Sequence, residues 1–128
     1  MQVPDPIPPS EVAAAAVPTA NVQVQRAGGA VVLTARGEFD VITTPVLQQG
    51  ILEALAPAPD RLVLDLSGTT FFSSAAFGCL VDARSRAGEH TVLQLVAAHE
   101  VRRNLALLGL EPLFSVFDTL ADAQAAAG

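Results

Sequence analysis

Lysine is missing from the 128-residue chain: all seven basic residues are arginine, they face thirteen acids, and the formal net charge is −6. Seven arginines cannot build the dense basic patch that nucleic acid or an anionic membrane requires, so neither is an expected partner. The lack of lysine itself is compatible with coding bias and carries no functional weight. Cysteine occurs once, as Cys79, which excludes an internal disulfide and the disulfide-rich secreted class. His90, His99 and that cysteine are too few for a His/Cys structural zinc site. Long apolar runs are missing too, since nothing approaches the roughly 20 residues that span a bilayer. The apolar stretch nearest the start, Val12–Val17, is short and follows Asp5 and Glu11 in place of basic residues, unlike a secretory signal. The expected setting is the cytoplasm. No Gly-rich phosphate loop, nucleophile elbow or His/Asp pair at helical spacing occurs, so the chain reads as a non-enzyme with no cofactor.

What is present is a core. The hydrophobic fraction is 51%, and the length suits one domain. Residues 1–20 read as a disordered tail: Pro4, Pro6, Pro8, Pro9 and Pro18 remove backbone donors, and apolar side chains are sparse. A weak helix over Glu11–Ala16 is the most this stretch would form. Residues 21–128 form the domain, with no internal repeat.

Val22-Gln-Val24-Gln alternates as a half-buried strand, Ala27–Ala30 is a turn, and Val31–Arg36 is a second strand, giving a hairpin. Gly37–Asp40 reads as a loop. Thr44 and Pro45 start a helix as N-cap and first helical residue, with Val46, Leu47, Ile51, Ala54 and Leu55 on its inner face. Pro57 and Pro59 end it. Leu62–Leu66 is a strand apolar on both sides, and Ser67–Thr70 reads as a turn. A helix follows from about Ser74 to Ala87, closed by Gly88. Thr91–Ala97 is a strand. Ala98 or His99 opens a helix through Leu108, with Val101, Leu105 and Leu108 inward and Gly109 as its C-cap glycine. Leu113–Phe117 is a short extended segment, and Thr119 caps a closing helix whose apolar side is Leu120, Ala123 and Ala127. The order β-β-α-β-α-β-α-β-α predicts an α/β fold with a mixed, mostly parallel sheet of four to five strands, an antiparallel edge and about four helices.

Three stretches carry more than pattern. Gly37-Glu38-Phe39-Asp40 matches a G-E-[LIF]-D loop. Asp65-Leu66-Ser67 through Phe72-Ser73-Ser74-Ala75-Ala76-Phe77-Gly78-Cys79-Leu80 matches a D-L-S-x-[VT]-x-F-[ILM]-D-S-[ST]-G-[LF]-G-x-L segment. Val101-Arg102-Arg103 through Gly109-Leu110 is similar to V-R-R-x-L-x-L-x-G-L. Over about Val22 to Ala126 the chain resembles the STAS domain family of bacterial anti-sigma factor antagonists. The resemblance implies a STAS-like fold and a partner, an anti-sigma factor of the Ser/Thr kinase type. In the family that partner phosphorylates the serine after the motif's aspartate, which ends the partnership. A phosphatase restores the antagonist.

Carried over by position, the phosphoacceptor is Ser74, with Ser73 as the fallback. Three residues depart from the motif: Ser73 stands for Asp, Ala75 for Ser or Thr, and Ala76 for Gly. The plain structural reading of Ser73 or Ser74 is a helix N-cap. A phosphate at that end would suit the free domain, because backbone N–H groups and the helix dipole favour an anion. It would be costly in a docked interface. The resemblance places partner contacts at Glu38, Asp40, Ser73, Ser74, Ala75, Ala76 and Phe77, with Phe77 an exposed hydrophobic contact. Against this, Glu38 and Asp40 read as solvated loop acids. Asp65 reads as structural, tying the following turn through Ser67 or Gly68. Of Phe71 and Phe72 one should be buried and one partly exposed. Cys79 reads as a small buried hydrophobe, and Arg102 and Arg103 as a solvated helix face. Two alternatives stay open: an interaction module that is never phosphorylated, and a small-molecule or nucleotide sensor using a pocket beside the helix start. A homodimer is also open.

Overall fold

In β1 (Asn21–Ala27), Val22 and Val24 are half-buried while Asn21, Gln23 and Gln25 face solvent, as the alternation predicts. The structure is a computed structural model that describes residues 20–126. The expected tail over residues 1–20, its helix over Glu11–Ala16, and Ala127 lie outside the described residues, Ala20 excepted. After β1 come β2 (Ala30–Phe39), α1 (Thr44–Leu55), β3 (Arg61–Phe72), α2 (Ser74–Ala87), β4 (Val92–Val96), α3 (His99–Leu107), a 3₁₀ turn (Glu111–Leu113), β5 (Ser115–Phe117) and α4 (Leu120–Ala125). The strands lie in chain order in one sheet. β1 and β2 are antiparallel; every later neighbour is parallel.

Sequential order with right-handed crossovers puts the connecting helices on one face. That face carries Leu33, Ala35, Leu62, Leu64, Leu66 and Leu95, all fully buried against Leu47 and Ile51 of α1, Leu80 of α2 and Leu105 of α3. Each buried leucine or isoleucine contributes about 1.5–3 kcal/mol of transfer free energy. The other face presents Val32, Val63, Val96 and Phe117, and α4 covers it with Leu120 and Ala123.

Two expected breaks are strand. Gly37–Phe39 continue β2, and Ser67–Thr70 continue β3, so neither stretch is a free loop. The reason is a pair of bulges. Thr34 pairs Asp65 but Arg36 pairs Gly68; Gly37 pairs Thr69 but Glu38 pairs Phe71. Each step places one extra residue on β3, and bulges favour the small, locally bonding residues that also make turns. At the first bulge Asp65 Oδ1 accepts from Ser67 N at 3.1 Å and from Ser67 Oγ at 2.6 Å, the structural role expected of Asp65. The extended pair carries the β2 end out to Phe39, opposite Phe72.

Smaller differences are local. The α1 N-cap is Thr43, one residue before the expected Thr44, and Val46 is half-exposed. Leu108 is the C-cap of α3 and lies outside the core. Beyond it, Gly109 adopts φ +72°, Leu110 N donates to Leu105 O at 2.9 Å and Gly109 N to Ala106 O at 3.0 Å. These two bonds form a Schellman motif, which needs the left-handed glycine.

Candidate functional site

The ends of β2 and β3 meet through phenylalanine. Phe39 and Phe72 pack edge-on with ring centroids 6.1 Å apart, and Phe72 packs edge-on against Phe77 at 4.9 Å. Phe72 directly precedes the N-cap Ser73 and Phe77 is the fourth helical residue, so this second pair is a hydrophobic staple. It fixes how the chain enters α2. Ser73 N donates to Phe39 O at 2.9 Å, joining the β2 end to the helix start. Ser73 Oγ accepts from Ala76 N at 3.3 Å, so the serine keeps the capping role an aspartate would fill, without the charge.

Ser74, the first helical residue, is exposed, and so are Ala75 and Gly78. No acid lies in the first turn of α2, while Arg84 and Arg86 stand in its last. The positive end of the helix dipole therefore has no neutralising side chain on that turn, and an anion at Ser74 is electrostatically favoured there. Ala76 is fully buried, and Phe77 is 3% exposed. The expected outward contact at Phe77 is thus corrected: a residue at that position of a stapled helix points into the core. Ala76 likewise offers no side chain to a partner.

Asp40 follows β2, and its carboxylate serves its own corner. Asp40 Oδ1 accepts from Ile42 N and Thr43 N, both at 2.9 Å, and lies 3.0 Å from Thr43 Oγ1. The Thr43 hydroxyl also reaches Glu38 O at 2.9 Å and accepts from Asp40 N at 3.0 Å. Thr44 closes the turn by donating to Asp40 O from N at 2.9 Å and from Oγ1 at 2.5 Å. The Thr43 backbone N–H, then its hydroxyl, hold the Asp40 carboxyl below the usual carboxylate range. Asp40 is more than a solvated acid: it is the clamp of a loop. Glu38 is half-buried on β2 beside it.

The residues that this clamp presents were not singled out from sequence. Val41 is 75% exposed and Ile42 is 83% exposed. Two adjacent β-branched residues in a loop, off any strand or helix period, were the available signal. Phe71, at the same end of the sheet, is half-exposed while Phe72 is buried, as strand alternation predicts.

Elsewhere, α1 and α2 are tied by Gln48 Nε2 donating to Asp82 Oδ2 at 3.0 Å, and Arg86 Nε pairs with the same oxygen at 2.6 Å. Gln48 and then Arg86 hold the Asp82 carboxyl low. Cys79 is buried, and burial pushes its thiol up, away from nucleophilic chemistry. A cavity of about 340 Å³ lies beside the start of α3, lined by Thr70, Phe71, Ala98, Glu100 and Asn104 among others. Among the described residues no three His, Cys, Asp or Glu side chains converge as metal ligands, and no helix is long and apolar enough to cross a membrane.

Comparison with known proteins places this geometry. The STAS domain family profile matches residues 21–123. The chain is 36% identical over 104 residues to the anti-sigma-F factor antagonist RsfB of Mycobacterium tuberculosis, covering 80% of this chain and 85% of that protein. The crystal structure of an anti-sigma factor antagonist from Mycobacterium paratuberculosis superposes with a TM-score of 0.80 at 33% identity, over 84% of this chain and 93% of the other. An anti-sigma-factor antagonist (STAS) domain protein from Planctomyces limnophilus shares the fold, with a TM-score of 0.71 at 19% identity over 82% and 96% of the two chains. Matched by the family profile over residues 21–123 and by a relative 36% identical over 104 residues, the chain belongs to the STAS domain family.

Proposed function

We propose that the protein is an anti-sigma factor antagonist: it binds an anti-sigma factor and so frees a sigma factor for transcription. It acts by binding and not by catalysis, in the cytoplasm. The observation that carries the reading is the hydrogen bond from Ser73 N to Phe39 O, which sets the clamped corner beside an exposed Ser74 at the start of α2. The relatives named antagonists at 33% and 36% identity support it.

The partner is of the Ser/Thr kinase type and phosphorylates Ser74; a phosphatase reverses this. A phosphate adds about −1.5 to −2 charge, welcome at a free helix start and costly where a partner must desolvate it. A second reading is favoured by the Ser73 and Ala76 departures: an antagonist that binds in the same way but is never phosphorylated. A nucleotide sensor is less well supported, since the described lining of the cavity beside α3 contains Glu100 and no arginine to meet phosphates.

Titration calorimetry against the anti-sigma-F factors of the source organism and of M. tuberculosis tests binding. Mass spectrometry after incubation with ATP and the same factors tests phosphorylation. Saturable 1:1 binding with phosphate on Ser74 is the expected result; binding without phosphate selects the second reading, and no binding rejects both.

A further inference from the structure

We infer that Val41 and Ile42 are an apolar anchor that inserts into a nonpolar pocket with a basic rim on the anti-sigma factor, and that Asp40 acts by positioning them. This rests on the antagonist reading and names the part of the surface that supplies its affinity.

Three observations lead there. The first is exposure. Val41 and Ile42 are 75% and 83% exposed at the tip of one loop, where aliphatic side chains gain nothing from the domain's own core. The second is preorganisation. A flexible apolar tip would lose conformational freedom on docking, and that loss would offset what burial gains. Here the loop is already held by the Asp40 carboxylate on Ile42 N and Thr43 N, and by both Thr44 bonds to Asp40 O. The Ser73 N to Phe39 O bond also sets the start of α2 beside the strand end that leads into the tip, so one partner can reach both.

The third observation is charge, and it selects the occupant. The charged residues closest to the tip in the chain are Glu38 and Asp40, and the adjoining first turn of α2 carries no acid of its own. A second copy of this chain would bring Glu38 and Asp40 against their duplicates, in a protein whose net charge is −6. A partner with basic residues around a nonpolar pocket meets neither penalty.

The test compares wild type, the double variant Val41→Ser/Ile42→Ser, and Leu107→Ser, which alters an equally exposed aliphatic residue at the C-terminal end of α3. Each is titrated with the anti-sigma-F factors named above at low and high salt, melted, and sized by light scattering. The double variant should bind about 30-fold more weakly or worse, because two apolar anchors are lost. It should melt with wild type and remain monomeric. Leu107→Ser should bind as wild type. High salt should weaken wild-type binding, as a basic rim requires. Equal binding by the double variant, or binding indifferent to salt, overturns the anchor while leaving the antagonist reading intact. Wild type that binds no anti-sigma factor overturns that reading and this inference together. A wild-type dimer that the double variant dissolves assigns the tip to a second copy and overturns the inference.

Discussion

Replacing Ser74 with aspartate separates what α2 does for the fold from what it does for a partner. In the free domain the new carboxylate sits on the first residue of a 14-residue helix whose first turn has no acid. A charge there interacts favourably with the dipole by about 0.3–1 kcal/mol, and the site is exposed, so the lower part of that range applies. Ser73 keeps its cap to Ala76 N, because that bond does not involve Ser74. Ser74→Asp should therefore melt at or slightly above wild type, with a change in stability of no more than about 1 kcal/mol. The docked state has the opposite sign. A carboxylate covered by a partner loses its water, and a basic rim shaped around the Val41–Ile42 tip holds no hydrogen-bond donor placed for residue 74, so the desolvation outweighs the Coulombic gain by an amount on the order of 2 kcal/mol or more, about 30-fold in affinity. Ser74→Ala removes only a hydroxyl and should bind as wild type while taking no phosphate. Calorimetry of both variants against the cognate anti-sigma factor, beside thermal melts, reads out each half. If Ser74→Asp binds as tightly as wild type, the start of α2 is outside the interface. If it melts several degrees lower, the account of the free helix end is wrong.

Three further outcomes are expected. Ser73→Ala should lower stability by about 0.5–1 kcal/mol, the low end for an N-cap because its bond is 3.3 Å long, and Ser73→Asp should restore it; equal urea midpoints for all three would refute the cap. Gly109→Val should cost about 1 kcal/mol or more through backbone strain alone, since a Cβ there meets no atom within 4 Å; an unchanged midpoint would refute the left-handed cap. Asp40 has a folded pKa below its ordinary 3.8, so its contribution is fully present above about that pH and fades as pH falls through the folded value. Asp40→Asn keeps an oxygen that can accept the same bonds but does not titrate. The melting-temperature gap between wild type and Asp40→Asn should narrow as pH falls below about 3.8, and a gap that stays constant there would contradict the clamp.

The sheet, its antiparallel edge and the helix order were legible because apolar periodicity reports burial directly. Val22 and Val24 alternate, Leu62–Leu66 are apolar throughout, and Gly109 sits where a helix must stop. The bulges were not legible. Ser67, Gly68, Thr69 and Thr70 have the chemistry of a turn, and only the partner strand β2 shows that they remain paired. The same limit governs the site. Ser73 and Ser74 stood out by motif, and the capping choice between them follows from geometry. The outward Phe77 is what the resemblance implies, whereas the spacing of Phe72 and Phe77 about the Ser73 cap, which the sequence carries, is that of a staple pointing into the core. Val41 and Ile42 escaped notice because an unburied apolar residue leaves no mark in a periodicity.

The phenylalanine chain from Phe39 through Phe72 to Phe77 bears on what the proposed phosphate at Ser74 would do. These rings and the Ser73–Phe39 bond join the corner directly to the helix start. A charge added at Ser74, as proposed above, would sit on a helix start already packed against that corner. Its effect would be written into the surface potential where it is attached and read on the spot by whatever approaches. The tempo of such a switch would belong to the enzymes that add and remove the charge.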